Sequence, residues 1–179
     1  METRRLPAKL TLMTYWGDYM GKLKDSGERR QFDSGAVRDI SEGKGRCDLL
    51  PLSVIGKHFK SRVLELIGGY VETGDIEFLV SAIYDFSMFY YDNCPATAFL
   101  EVAKQYEDGM QKYGDRNWEK GIPIHCYIDS GVRHYLKVIR RDEDEDHKRA
   151  FMWNMLGAIW THEHFPELRD LPFNNDQSS

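Results

Sequence analysis

Residues 96–113 read ATAFLEVAKQYEDGMQKY, and this stretch decides the fold class. Its apolar positions Phe99, Val102, Ala103, Tyr106, Met110 and Tyr113 fall three or four apart, the spacing of one face of an α-helix. Pro95 precedes the run and Gly114 follows it, as helix boundaries do. Downstream, the loop DRNWEKGIP leads into a second helical pattern over 124–139, with Ile128, Val132, Tyr135 and Ile139 on one side. An acidic run at 142–146 suits the N-terminus of a last helix through Trp160, where the helix dipole favours negative charge. That last helix is apolar almost all round (Ala150, Phe151, Met152, Trp153, Met155, Leu156, Ile159, Trp160), so it is central or covered by a second subunit. Upstream, 75–92 reads as a helix that Asp75 can cap. The stretch 52–70 reads as another, starting behind Pro51 and stopping at Gly68-Gly69. Residues 24–44 are rich in Gly, Ser and charge and read as a long loop. No convincing run alternates with period two. The expectation is an all-α bundle of four to five helices in a single domain over 1–179, with residues 1–45 loop-rich.

The composition is that of an ordinary globular chain: 179 residues, 41% hydrophobic and 30% charged. A net charge of −5 disfavours a broad nucleic-acid-binding surface. A free nucleotide can still bind through a few local cations. Cys47, Cys94 and Cys126 show neither CxxC nor zinc-finger spacing, and an odd count fits a reducing compartment. The N-terminal stretch has no continuous apolar core of a signal peptide, and no stretch approaches the roughly 20 apolar residues of a membrane span. Cytoplasmic location is the expectation.

Three polar clusters stand apart from the core stripes. Glu107-Asp108, with Lys112 a turn on, sits at the edge of the first stripe as a pair of metal ligands or as solvated edge residues. Asp129 and Arg133 are four apart and share a helix face with each other, with His134 beside them, which fits an ion pair as well as a site. His147 and Asn154, seven apart with Ala150 between, draw a polar line on an apolar helix. Such a line must be hydrogen-bonded inside the protein, to a partner helix or to a bound ion or ligand. Acidic residues on several helices, without a Cys/His set, point to a hard cation bound through oxygen, Mg²⁺ or Mn²⁺, which commonly carries substrate phosphates. Lys112, Arg116, Lys120 and Arg133 are then candidates to neutralise phosphate. Trp118 offers a face for stacking a base, or packs in the core.

The run YEDGMQKYGDRNWEKGIP, followed by DSGVRHYLK, DEDEDH and AFMWNML, resembles the phage-borne dATP/dGTP diphosphohydrolase family (MazZ-like), a branch of the all-α MazG-like nucleoside triphosphate pyrophosphohydrolases. The block DSGAVRDISEGKGRCDLLPL at 33–52 resembles the same family's N-terminal signature. The resemblance implies hydrolysis of dGTP or dATP between the α- and β-phosphates, to the monophosphate and pyrophosphate, on two or three divalent ions. It further implies that dGMP so produced can feed 2-aminoadenine synthesis for phage DNA. It implies a dimer or tetramer, with a purine deoxynucleotide as substrate. Within that frame Lys44 and Arg46 lie in a Gly-flanked loop suited to phosphate, and Asn117 can read a base edge.

MazG proteins carry EExxE on one helix and ExxD on the next. Laid on DSGVR, the first motif keeps only Asp129 at its leading acid, and the second falls near His147 and Ala150, or near Glu143 and Asp146. The expected ligands are therefore Glu107, Asp108, Asp129 and Asp146, with the first three catalytic and with His134 and His147 as alternates or phosphate contacts. Two other readings remain open. One is a helical interaction or regulatory protein that has lost activity. The other is an HD-type triphosphohydrolase, whose ligands His134 and Asp146-His147 would mimic.

Overall fold

The computed structural model describes residues 27–173, so the expectation for 1–26 lies outside the described residues. Helices dominate it: α1 (Leu52–His58), α2 (Arg62–Thr73), α3 (Glu77–Tyr90), α4 (Pro95–Tyr113), α5 (Ile124–Arg140) and α6 (His147–His164). The all-α expectation holds. α6 is the central helix, packed on α3, α4 and α5, with Phe151, Met152, Met155 and Ala158 fully buried. The chain itself covers this apolar helix, so its composition does not require a second subunit. No helix among the described residues is long and apolar enough to cross a membrane.

Six helices appear in place of four or five because 52–70 is not one helix. The chain turns at Lys60, in left-handed conformation, and Ser61 then caps α2 by accepting from the Leu64 N–H. Gly68-Gly69 does not end α2, which runs on to Thr73 and stops at the left-handed Gly74. The glycines serve packing instead. A Cβ at Gly68 would strike the backbone of Ser53, and one at Gly56 would strike the backbone of Glu65. α1 and α2 therefore meet backbone to backbone.

The stripe on α4 is also turned from its expected direction. Of its six expected members only Val102 is buried, and the inward line is Ala98, Val102 and Gln105. Phe99 and Met110 are nearly half exposed. On that side Gln105, Gly109 and Tyr113 line a cavity rather than fill a core.

The expected loop at 24–44 contains a β-hairpin among its described residues. β1 (Arg29–Gln31) pairs antiparallel with β2 (Val37–Asp39), with Arg30 opposite Arg38. Gly35 takes the positive φ that the turn requires. Strands of three residues are too short to show a period of two. The hairpin is held by helix side chains. Asn117 accepts from the Val37 N–H and donates to its carbonyl, both at 2.9 Å. Asp39 accepts from Lys112 Nζ at 2.6 Å and from Tyr113 Oη at 2.9 Å. Ser34 Oγ donates to the Gly121 carbonyl. These anchors fasten the hairpin to the C-terminal end of α4 and the segment that follows it.

Candidate active site

Under the hairpin lies a cavity of about 460 Å³. β2 contributes Arg38 and Asp39, the following turn Lys44, and α5 contributes Asp129, Arg133, His134 and Lys137. Glu145 and Asp144 close it from the loop before α6, and Trp153 and Asn154 from α6 itself. Cations thus face carboxylates and an imidazole across one space. That combination can neutralise a polyanion and offer ligands to a divalent ion.

Arg38 is a cavity-lining cation held by polar and aromatic groups. Its Nη2 donates to Asn154 Oδ1 at 2.9 Å, while its buried Nη1 has no hydrogen-bond partner. The guanidinium lies 5.1 Å from the Tyr127 ring centre and 5.4 Å from that of Trp153. Burial lowers its pKa, against Tyr127, which raises it. A guanidinium still stays protonated in proteins, so a positive charge faces the cavity with no carboxylate paired to it among the described residues. The polar line His147–Asn154 is explained in part: Asn154 holds Arg38 and donates to the Ala150 carbonyl.

Asp129 is buried, and both its oxygens are engaged. One accepts from the Cys47 N–H at 2.7 Å and the other from Arg133, which also donates to the Gly45 carbonyl. The pair ties the 45–47 loop to α5, so Asp129 and Arg133 line the cavity as an anchored ion pair.

The imidazoles come together where the carboxylates were expected. His134 Nδ1 and His147 Nδ1 are 3.0 Å apart, and Glu145 Oε1 lies 3.6 Å from the first and 3.5 Å from the second. His147 Nε2 is 2.8 Å from Asp144 Oδ1, and Lys137 Nζ is 3.2 Å from Asp144 Oδ2. Burial, then the neighbouring His147, Lys137, Arg133 and Arg38, push the His134 pKa down to about 3, so its ring is neutral near pH 7. Burial raises the Asp144 pKa, but the bonds from His147 and Lys137 outweigh it and bring the group to about 2. Two sets of side chains could hold a metal ion: His134, Glu145 and His147; or Asp142, Asp144 and His147.

The four carboxylates expected as ligands do not converge: none of them belongs to either set found among the described residues. Glu107 is exposed and lines a second cavity of about 390 Å³, with Tyr106, Tyr113, Trp118 and Trp153. Asp108, one position on, lines neither cavity. Asp146 caps α6 by accepting from the Arg149 N–H and pairs with the Arg149 side chain at 3.0 Å. Among the expected phosphate contacts, Lys44 and Arg133 reach the cavity. Lys112 is bound to Asp39, Arg116 pairs with Glu119, Lys120 is exposed, and Arg46 pairs with the buried Asp48. Asn117 spends its oxygen and one amide hydrogen on Val37, so it pins a strand. Trp118 packs edge-on against Tyr106 and Trp160, 5.3 and 5.1 Å between ring centres, while also lining the aromatic cavity.

Sequence reasoning missed Arg38, Lys137, Asp144 and Glu145. Lys137 follows Asp129 and Arg133 at steps of four and was open to detection by helical spacing. Arg38 was not, because its role depends on the hairpin.

Residues 82–171 match the family model described as dATP/dGTP diphosphohydrolase, N-terminal. No curated protein and no solved structure matches the chain. The matched span runs from α3 through α6 and includes Asp129, Arg133, His134, Lys137, Glu145, His147 and Asn154, whereas the hairpin lies outside it. It takes in half of the chain and the helical walls of the cavity: the chain belongs to the dATP/dGTP diphosphohydrolase family.

Proposed function

We propose that the chain hydrolyses a purine deoxynucleoside triphosphate, dGTP or dATP, to the monophosphate and pyrophosphate, with the triphosphate tail in the cavity beneath the hairpin. The carrying observation is Arg38, whose buried Nη1 lacks a partner in a space also lined by Lys44, Arg133 and Lys137. An anion supplies what this arrangement lacks, and charge-assisted bonds from guanidinium to phosphate are among the strong ones. The neighbouring aromatic cavity shares Gly109, Tyr113, Asn117 and Trp153 with the first. A nucleotide can thus lie with its base among Tyr106, Trp118 and Trp153 and its phosphates among the cations.

Reaction at the α-phosphorus needs charge neutralisation, a positioned water and exclusion of bulk solvent. Arg38, Arg133 and Lys137 neutralise the phosphate oxygens and orient the tail. The donor set of His134, Glu145 and His147, at the wall of the same cavity, fits a divalent ion. Such an ion would neutralise phosphate charge and make water a better nucleophile, and Mg²⁺ or Mn²⁺ would come with the triphosphate itself. The HD-type reading loses one support, because Asp146 is engaged by α6 and Arg149 instead of joining the histidines. The oligomer expected from α6 rests instead on exposed Phe89, Phe99 and Leu100 of α3 and α4. A cytoplasmic enzyme is consistent with the substrate.

Chromatography of products from the eight standard NTPs and dNTPs, with Mg²⁺ and with Mn²⁺, tests the reading. Metal-dependent release of pyrophosphate from dGTP or dATP supports it. Inorganic triphosphate as product supports the HD-type alternative, and nucleotide binding without turnover supports the inactive one.

A further inference from the structure

The histidine pair carries more than general suitability for a cation. A carboxylate only accepts hydrogen bonds, so the 2.8 Å contact between His147 Nε2 and Asp144 Oδ1 places the hydrogen of a neutral His147 on Nε2. Nδ1 of His147 then presents a lone pair. It faces His134 Nδ1 at 3.0 Å, and Glu145 Oε1 lies within 3.6 Å of both. Three donor atoms bound tetrahedrally at about 2.0–2.1 Å from one ion lie about 3.3–3.4 Å apart, and the observed 3.0, 3.5 and 3.6 Å bracket that value. His147 is buried, and the rings of His134 and His147 are 5.3 Å apart. The arrangement is also supported from outside: Asp144 orients His147, and Lys137 holds Asp144. A carboxylate behind a ligating imidazole fixes its tautomer in this way. The competing set, Asp142 with Asp144 and His147, already has Arg140 on both oxygens of Asp142.

We infer that His134, His147 and Glu145 form a preassembled site for one borderline transition ion of the Zn²⁺, Co²⁺ or Fe²⁺ class, filled before nucleotide binds, with Asp144 as the residue that positions His147. Two nitrogens and one oxygen favour such an ion over Mg²⁺, which prefers oxygen ligands and keeps much of its water. Three protein ligands leave a fourth position open toward the cavity. The inference builds on the proposed nucleotide site, which it would supply with an ion in addition to any Mg²⁺ carried by the triphosphate.

Titration of the metal-free chain with Co²⁺, without nucleotide, reads the site through visible d–d absorption, and equilibrium dialysis gives the stoichiometry. One Co²⁺ per chain is expected, with the intense bands of a four-coordinate ion that persist in excess Mg²⁺ and disappear on addition of Zn²⁺. The His134→Gln/His147→Gln variant should lose the bands, with its helical circular dichroism checked in parallel. Asp144 is exposed enough for Asp144→Asn to keep the fold, and this variant should weaken Co²⁺ binding by about 10- to 100-fold at unchanged stoichiometry. Absence of a Co²⁺ site, displacement by Mg²⁺, or wild-type Co²⁺ affinity in Asp144→Asn overturns the inference. A chain that binds Co²⁺ as described but releases no pyrophosphate refutes the proposed function alone; one that releases pyrophosphate with Mg²⁺ yet shows no Co²⁺ site refutes this inference alone.

Discussion

Arg38 on β2 and Asn154 on α6 are 116 residues apart in the chain and joined by a 2.9 Å hydrogen bond. The contact turns a hairpin residue into part of the helical site and fixes where its charge points. Asn154→Ala removes the acceptor and leaves a second buried guanidinium nitrogen unpaired. A bond to a charged group contributes about 1.5–3 kcal/mol, so Tm should fall by roughly 5–10 °C. Calorimetry reads the fall, and weaker nucleotide binding should accompany it.

Lys44 separates binding from stability. It is exposed, on the turn after the hairpin, and lines the cavity. Lys44→Ala should leave Tm within a degree of wild type. An exposed ion pair is worth up to about 1 kcal/mol, which corresponds to a rise of roughly fivefold in Kd for a deoxynucleoside triphosphate by isothermal calorimetry. The rise should shrink as salt is added.

Gly68→Ala tests the helix pair from the opposite direction. The added methyl meets the backbone of Ser53, which no rotamer change relieves. The expected cost is about 3 kcal/mol, read by urea denaturation. Gly109, also helical, has open space at its Cβ position, so Gly109→Ala should be neutral or slightly stabilising.

The pair His125–Asp170 ties the end of the described chain to the start of α5. Asp170 accepts from the His125 N–H at 3.0 Å and from its ring. Bonds to Asp170 and Cys126 raise the His125 pKa to about 10. Burial raises the Asp170 pKa, but the bonds from His125 outweigh it and the net shift is downward. A raised histidine pKa stabilises the fold fully below its unfolded value, near 6.5, and the contribution fades as pH climbs toward 10. A lowered aspartate pKa stabilises above about 4 and is lost on acidification. Asp170→Asn should therefore cost most between about pH 4 and 6.5, and its Tm deficit should narrow steadily toward pH 10. A deficit independent of pH would exclude the ion pair as its cause.

The helices were legible because their faces obey a local rule. Ile128, Val132 and Tyr135 lie on one side of α5 and are buried as their spacing requires, while Ile139, the last member of that expected stripe, is half exposed at the end of the helix. α4 was misdirected because its inner line contains Gln105, a residue that local patterning assigns to solvent. Gly68 gave a false stop for the same reason: a glycine needed for close approach looks in sequence like one that ends a helix. In the site, His147 and Asn154 were marked by polarity on an apolar helix. Two of their partners, Arg38 and Glu145, were not, since they reach them through a hairpin and a loop whose paths no periodicity encodes. The carboxylates at 107, 108 and 146 looked alike in sequence, and only the fold separates an exposed rim from a helix cap.

The location of the phosphates is best tested by a crystal structure with Mn²⁺ and a dGTP analogue carrying a non-hydrolysable link between the α- and β-phosphates. Phosphate oxygens should lie within hydrogen-bond reach of Arg38 Nη1 and Arg133, with anomalous Mn²⁺ density against the phosphates in the same cavity. An analogue whose phosphates sit outside the cavity under the hairpin, leaving Arg38 unpaired, would contradict the assignment of this site.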